Sequence, residues 1–209
     1  MGGIEMSALT ERRGVVTERS PAIVLFAELR NFTRMSEMLE PQKVLDLASG
    51  FFALVADAVE ASGGEAFGVR NDTLTAVFRR GAASEQARQA VAAAQRIQRE
   101  FGAIAESWQR EYGLMTAVAV GMHLGDTVFG MAGPDGAAQF VAFGDCVSIA
   151  ERLLHRARAG EFVLSAAVMD ALSGSNSELE ANELPPLQLA RRESIEIYGV
   201  LLDTRLDFT

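Results

Sequence analysis

The chain has 209 residues, of which 49% are hydrophobic, and a formal net charge of −9 at pH 7. This length fits one domain with a sizeable core, and the negative charge argues against a nucleic-acid or anionic-membrane surface, because phosphate binding needs a basic stripe. One cysteine and two histidines exclude an internal disulfide and a His/Cys metal cluster. Without a long apolar run or a leader pattern, we expect no membrane span and a cytoplasmic location.

The first 20 residues have mixed charge, a Gly-Gly pair and no periodicity, which is typical of a flexible tail or linker. A continuous apolar run then predicts a strand buried on both faces, and the spacing that follows predicts helices. In chain order, the elements predicted for the first half are a strand at 21–29, a helix from Asn31, a helix from Pro41 to Gly63, and a hairpin at 63–78 with its turn at Asn71 and Asp72.

The second half continues with a long helix that Ser84 is expected to cap. The remaining predicted elements are a glycine-broken strand pair at 114–125 and 126–133, a strand at 139–144, a helix from Asp145, strands at 161–165 and 194–203, and between those two a short helix and a loop at 173–186. This order predicts an α+β fold. Its ferredoxin-like βαββαβ core is extended to a larger, mostly antiparallel sheet with helices packed around it.

Four segments resemble, in order and spacing, the motifs of the catalytic domain of class III adenylyl and guanylyl cyclases. LFAELRNFT is similar to F-x-D-(I/L)-x-G-F-T, and GGEAFGVRNDTLTAVF is similar to G-G-x-x-x-K-x-x-G-D-x-x-x-A-x-F. VGMHLGDTVFGMAG resembles G-x-H-x-G-x-x-x-x-G-x-x-G, and FVAFGDCVSIAERL resembles Y-(D/T)-x-x-G-D-x-V-N-x-A-x-R-L. The resemblance covers about residues 21–203. We interpret that range as a cyclase homology domain and 204–209 as a C-terminal tail.

The resemblance implies a head-to-tail dimer with its sites at the interface. One subunit would bring two acidic residues that hold two divalent ions on the triphosphate. The other would bring a lysine and an Asp or Thr that read the base, with an Asn and an Arg that stabilise the reaction. We therefore expect a homodimer, or a heterodimer with a complementary cyclase domain, and a nucleoside triphosphate as the ligand of an active site.

The two metal positions of the family correspond to Glu28 and Asp72. Glutamate keeps the charge of the usual aspartate but adds a methylene, and a two-metal centre with ions about 3.5–4 Å apart is sensitive to that shift. We expect weak Mg²⁺ or Mn²⁺ binding, with no metal required for the fold. The alternatives are an ordinary turn aspartate at Asp72 and a solvent-facing glutamate at the strand end.

The resemblance also assigns a phosphate-binding loop and one catalytic arginine. Backbone N–H groups of Asn31, Phe32 and Thr33 would close over the phosphates at a helix start. Asn31 replaces a glycine and tolerates unusual backbone angles, while Thr33 could instead be a plain N-cap. Arg152 matches the arginine that stabilises charge on the phosphate, and the alternative is a solvent-facing side chain.

Four further family positions carry different side chains in this sequence. Gly68 stands where the base-reading lysine is expected, and Val141 stands where its Asp or Thr partner is expected. Ser148 replaces the asparagine, whose amide a shorter hydroxyl cannot reproduce. Leu189 falls about where a lysine contacts the triphosphate, and Arg191 is a candidate substitute.

These substitutions predict a domain that keeps the family fold and dimer interface but is catalytically impaired. It would act as a dimerising regulatory module in a signalling protein. The alternative is an active atypical cyclase that converts ATP or GTP to the cyclic 3′,5′-monophosphate and pyrophosphate. A third hypothesis is a heterodimer to which this chain supplies Glu28 and Asp72. His123 and Cys146 have no matching partners nearby and are predicted to be structural.

Overall fold

The computed structural model describes residues 17–134, 136–173, 179–190 and 193–201. The strands in these ranges are β1 (Glu18–Leu29), β2 (Glu65–Arg70), β3 (Thr73–Phe78), β4 (Val118–Ala132), β5 (Gln139–Phe143), β6 (Glu161–Ser165), β7 (Asn182–Leu187) and β8 (Ile195–Leu201). The helices are α1 (Phe32–Met38), α2 (Pro41–Ala61), α3 (Ala83–Tyr112), α4 (Asp145–Arg156) and α5 (Ala166–Ser173).

The described strands form one sheet in the order β2-β3-β1-β4-β6-β8-β7, and β5 pairs with β4 off this path. Among the described strand pairs, β4–β6 is parallel and the others are antiparallel. The order β2-β3-β1-β4 with its intervening helices is that of a ferredoxin-like core. The predicted α+β class and the mostly antiparallel extended sheet are therefore confirmed.

The strand β1 separates two hydrophobic cores. Ile23, Leu25 and Ala27 point into the larger core, which contains the buried faces of α2 and α3. Ala22, Val24 and Phe26 alternate with them and point into the smaller core, where α4 packs. Because side chains along a strand alternate between the faces, this register puts Glu28 on the α4 side.

Gly121 in β4 allows α4 to lie directly on the sheet. A β-carbon at this position would overlap the backbone nitrogen of Leu154 and lie 2.6 Å from the carbonyl oxygen of Ala150. Both atoms belong to the helix backbone, which cannot rotate away as a side chain can. The glycine is therefore required by close approach of two backbones rather than by a turn.

Two predicted element boundaries were wrong. The strand β1 begins at Glu18, so residues 18–20 belong to the sheet and not to the tail, because they pair with β4 from Phe129 to Thr127. The helix α3 begins at Ala83 with Ala82 as its N-cap, and no side chain caps it, so Ser84 lies inside the first turn.

Two strand assignments also differ from the prediction. The glycine-broken pair at 114–125 and 126–133 is one continuous strand, β4, because Gly121 and Gly125 stay extended within it. The predicted loop at 173–186 contains β7, which pairs with β8 at the end of the sheet order. The register shift between Leu184 and Leu187 spans two prolines that have no N–H for the ladder.

The predicted tails fall mainly outside the described residues, which exclude 1–16 and 202–209. None of the helices described here is both long enough and apolar enough to cross a bilayer.

The contact at Gly121 predicts a steep packing penalty. Gly121→Ala should lower the free energy of unfolding by about 3 kcal/mol, because the helix has to shift off the sheet. Gly102→Ala is the matched control, since a β-carbon there meets no atom within 4 Å. It should stabilise the helix by about 0.5–1 kcal/mol. Urea unfolding measures both changes, and equal effects of the two substitutions would contradict this account of α4 packing.

Candidate active site

A cleft of about 460 Å³ lies between β2 with its following turn, β5 and α4. Four predicted site residues line it together: Glu28 and Asp72 from the metal positions, and Gly68 and Val141 from the base-reading positions. From α4, the lining side chains include Glu151 and His155.

Sheet register brings Glu28 and Asp72 to one end of this cleft. Glu28 is the Cα partner of Thr73 in the β1–β3 ladder, and the backbone N–H of Leu29 donates to the carbonyl of Asp72 at 2.9 Å. The turn between β2 and β3 holds Asn71 at φ 55°, a left-handed conformation that asparagine tolerates better than most residues. Asn71 can therefore take the place of the family glycine without disturbing the hairpin.

The carboxylate of Glu28 forms an ion pair with the guanidinium of Arg30. Burial raises the pKa of Glu28 above its ordinary value, and the nearby Asp72 carboxylate raises it further, while Arg30 and His155 oppose the rise. The alternative of a solvent-facing glutamate is wrong, because the Glu28 side chain is only 15% exposed.

The residues present do not fit a centre of two divalent ions. Such a centre needs both carboxylates, and Glu28 already carries a cationic partner in Arg30. Asp72 accepts a hydrogen bond from the Thr73 hydroxyl at 3.3 Å, and no basic side chain among the described residues pairs with it. Within the same residues, no group of three or more His, Cys, Asp or Glu side chains could hold a metal.

The predicted phosphate loop borders a second recess, of about 530 Å³, which Glu28 and Asp72 also line. Asn31, Phe32 and Thr33 all border it. Asn31 has φ 63° and caps α1, and its side-chain amide donates to the carbonyl of Met115 at 2.7 Å. The unusual backbone angle expected for Asn31 is confirmed, whereas the alternative of Thr33 as the N-cap is wrong.

Arg152, Ser148 and Leu189 lie around a separate small recess of about 150 Å³. This small recess and the cleft have no lining residue in common. Within the described chain, Arg152 and Glu28 therefore lie in different recesses. Residues 148 and 152 are one helical turn apart on one side of α4, while residues 147, 151 and 155 line the cleft on another. Arg191, the candidate substitute, lies outside the described residues.

An aromatic cluster contributes Phe67 and Phe140 to the wall of the cleft. Phe67 and Phe140 meet edge to face at 5.1 Å, and Phe140 stacks on Phe129 at 5.9 Å. The guanidinium of Arg79 lies over the Phe129 and Phe140 rings and forms an ion pair with Glu65 at 3.0 Å. These contacts hold β5 against β2 and fix the width of the cleft.

Sequence reasoning missed Arg30 and Arg79. Arg30 had one local signal, because it follows Glu28 by two residues and so falls on the same face of extended chain. Its other partners, the carbonyls of Leu154 and Ala157, are too distant in sequence to infer. No sequence signal indicated the role of Arg79, because the aromatic rings that it contacts, Phe129 and Phe140, belong to two other strands.

The two residues predicted to be structural are both buried. His123 lies beside Ser165, with 2.7 Å between the ring Nδ1 and the hydroxyl oxygen. The Cys146 thiol donates to the carbonyl of His123 at 3.3 Å. Burial lowers the pKa of His123 to about 4 and raises the pKa of Cys146.

Comparison with known proteins assigns the family. Residues 15–201 match the model described as adenylate and guanylate cyclase catalytic domain. The chain belongs to this family. The resemblance seen in the four sequence motifs is thereby confirmed across the folded region.

Among curated proteins, this cyclase domain is 26% identical over 187 residues to "Adenylate cyclase, terminal-differentiation specific" of Dictyostelium discoideum, covering 88% of the chain and 9% of that protein. It is 29% identical over 137 residues to "Adenylate cyclase 1" of Rhizobium meliloti (strain 1021), covering 65% of the chain and 20% of that protein. The chain therefore spans only a small part of these relatives.

Solved structures agree with the fold. The adenylyl cyclase CyaB from P. aeruginosa aligns with a TM-score of 0.81 at 22% identity, covering 93% of this chain and 100% of that one. A guanylyl cyclase domain from Blastocladiella emersonii, described as dimeric and non-canonical, aligns with a TM-score of 0.73 at 16% identity, covering 88% and 98%. At these identities the likeness establishes the fold alone.

The environment of His123 predicts a fall in stability at mildly acidic pH. The pKa of His123 in the native state, about 4, lies below the ordinary 6.5. Between these two pH values His123 is therefore protonated in the unfolded state and neutral in the native state. The neutral, buried His123 therefore does not lower the free energy of unfolding above pH 6.5. As the pH falls towards 4, protonation of this residue in the unfolded state lowers the free energy of unfolding by roughly 2–3 kcal/mol. Urea unfolding at pH 7.5, 6 and 5 measures it.

His123→Gln should flatten the fall between pH 6.5 and 5 relative to the unmodified protein. His155→Gln replaces the other, exposed histidine and should keep the fall unchanged. If the free energy of unfolding of His123→Gln falls with pH as steeply as that of the unmodified protein, other groups cause the fall.

Proposed function

We propose that this cyclase domain is catalytically impaired and acts as a dimerising regulatory module in a signalling protein. The observation that carries the proposal is the chemistry of the cleft wall. The two base-reading positions are Gly68 and Val141, which have no side-chain hydrogen-bonding group, and both line the cleft. Sites gain strong discrimination from buried hydrogen bonds to the ligand, so this wall supports poor nucleotide selection.

The catalytic positions support the same proposal. Ser148 and Leu189 border the recess beside Arg152 in place of an amide and a lysine. Loss of one preorganised donor costs about 10²–10³ in rate, and such losses are not additive. A symmetric homodimer repeats the same substitutions in both sites, so it cannot compensate for them.

The proposed dimer would cover an apolar rim at the mouth of the cleft. Val69 and Phe143 line the cleft and are 57% and 62% exposed. Val128, the cross-strand partner of Phe143, is 37% exposed and extends this rim onto β4. We propose that a second copy of the chain covers this surface; the structural relative from Blastocladiella emersonii is described as a non-canonical dimer.

We further propose that the domain comprises residues 18–203, because β1 begins at Glu18, that it lies in the cytoplasm, and that it binds Mg²⁺ or Mn²⁺ weakly. Glu28, Asp72, the loop at Asn31–Thr33 and Arg152 would keep what remains of the family roles. A complementary cyclase domain could supply the missing groups in a heterodimer.

The deciding measurement is formation of cyclic nucleotide from ATP and from GTP with Mn²⁺ across a range of protein concentrations. We expect no activity above background at any concentration of the homodimer. Turnover that rises with dimer formation would instead establish the competing function, an atypical cyclase that produces the cyclic 3′,5′-monophosphate and pyrophosphate.

The proposed interface predicts a selective effect of charge on oligomeric state. Phe143→Asp should produce monomers at tens of micromolar, because a carboxylate at the centre of an apolar interface is desolvated without a partner. Leu45→Asp is the matched control, since Leu45 is 60% exposed on α2, away from the cleft. It should remain dimeric. Sedimentation velocity measures both, and a monomeric unmodified chain would contradict the proposal.

Repair of the site tests whether the scaffold is intact. Five changes together should restore cyclic nucleotide formation, while no single change should, because the groups act as a unit. Arg30→Gln is among them because Arg30 already pairs with Glu28. The five changes are Glu28→Asp, Arg30→Gln, Gly68→Lys, Val141→Asp and Ser148→Asn. Space exists for the lysine, since a β-carbon at Gly68 would lie 3.7 Å from Thr75, an ordinary contact. A folded, dimeric variant that carries all five changes and has no activity would show that the cleft has been reshaped.

A further inference from the structure

Arg30 is held in place from two directions. One guanidinium nitrogen pairs with the carboxylate of Glu28. The other donates to the carbonyl of Leu154 at 3.0 Å and to the carbonyl of Ala157 at 2.7 Å. These carbonyls are at the C-terminal end of α4, where the negative end of the helix dipole favours a cation.

This arrangement differs from a surface ion pair. The side chains of Arg30 and Glu28 are 24% and 15% exposed, so solvent screens them only in part. Removal of the guanidinium would leave the Glu28 carboxylate, which is only 15% exposed, without a cationic partner. The planar guanidinium of Arg30 has its donors in a fixed arrangement, so little conformational entropy is lost for each of the three hydrogen bonds that it forms.

We propose that Arg30 is a tethered resident cation that occupies the cation position at Glu28, which leaves Asp72 as the carboxylate of the predicted acidic pair that a metal can bind. A divalent ion at Glu28 has to displace a guanidinium that the helix carbonyls hold in place. Because the charges of Glu28 and Arg30 cancel, this pair adds no net attraction for a cation beside Asp72. This inference does not depend on whether the domain is catalytically impaired, because it concerns binding of the metal alone.

Mn²⁺ binding without nucleotide tests the proposal, with the free ion measured by electron paramagnetic resonance at physiological ionic strength. Arg30→Gln removes the charge but keeps an amide donor for the carbonyls. It should bind Mn²⁺ about tenfold or more tightly than the unmodified chain, because two neighbouring carboxylates then become available. The double variant Glu28→Gln/Arg30→Gln should return to the unmodified affinity within about threefold, since Asp72 again acts alone.

Arg34→Gln is the matched charge control. Arg34 is exposed on α1, borders the same outer recess and forms no ion pair with another described residue. It should change the affinity by less than about threefold, because solvent screens its charge. Circular dichroism and urea unfolding establish that each variant is folded, and Arg30→Met replaces Arg30→Gln if the latter unfolds.

Two results would overturn the proposal. The first is Arg30→Gln binding Mn²⁺ no more tightly than Arg34→Gln does. The second is a double variant that binds at least tenfold more weakly than the unmodified chain, because Glu28 would then already be a ligand beside Arg30.

Discussion

The pairing of β1 on both of its edges is the constraint on which the rest of the molecule depends. From Ile23 to Glu28 the strand has β3 on one side and β4 on the other, and its side chains supply both cores. A one-residue slip would exchange the two faces and bury Glu28 on the side of α2 and α3. The position of the acidic pair is therefore set by core packing and not by any interaction of the carboxylates themselves.

Elements with a strong period could be predicted from the sequence, and the exceptions have identifiable causes. The strand β1 and the long helices have clear apolar patterns, so their existence was predictable. A glycine in a strand indicates either a turn or a close approach, and the sequence does not distinguish them. Gly121 proved to be a close approach to α4. The strand β7 was missed because prolines at 185 and 186 demote a segment to a loop, yet an edge strand tolerates them.

The sequence named candidate site residues but could not give their connections. Motif resemblance assigns Glu28 and Asp72 to one subunit of a shared site and Gly68 and Val141 to the other, whereas all four residues of a single chain line one cleft. Resemblance could not reveal that Glu28 already has a cationic partner, because the contacts that hold Arg30 come from backbone carbonyls of a helix more than 120 residues away. Backbone acceptors have no signature in the side-chain sequence, so only the folded chain identifies them.

The helix α4 borders two of the recesses that contain candidate site residues. One side carries Glu151 and His155 at the cleft, and the other carries Ser148 and Arg152 at the small recess. Its C-terminal carbonyls bind the same Arg30 that pairs with Glu28. A shift of α4 along the sheet would therefore move Arg152 and disturb Glu28 together. Because Gly121 leaves no space between helix and strand, such a shift is costly, and the two recesses are held in one fixed relation.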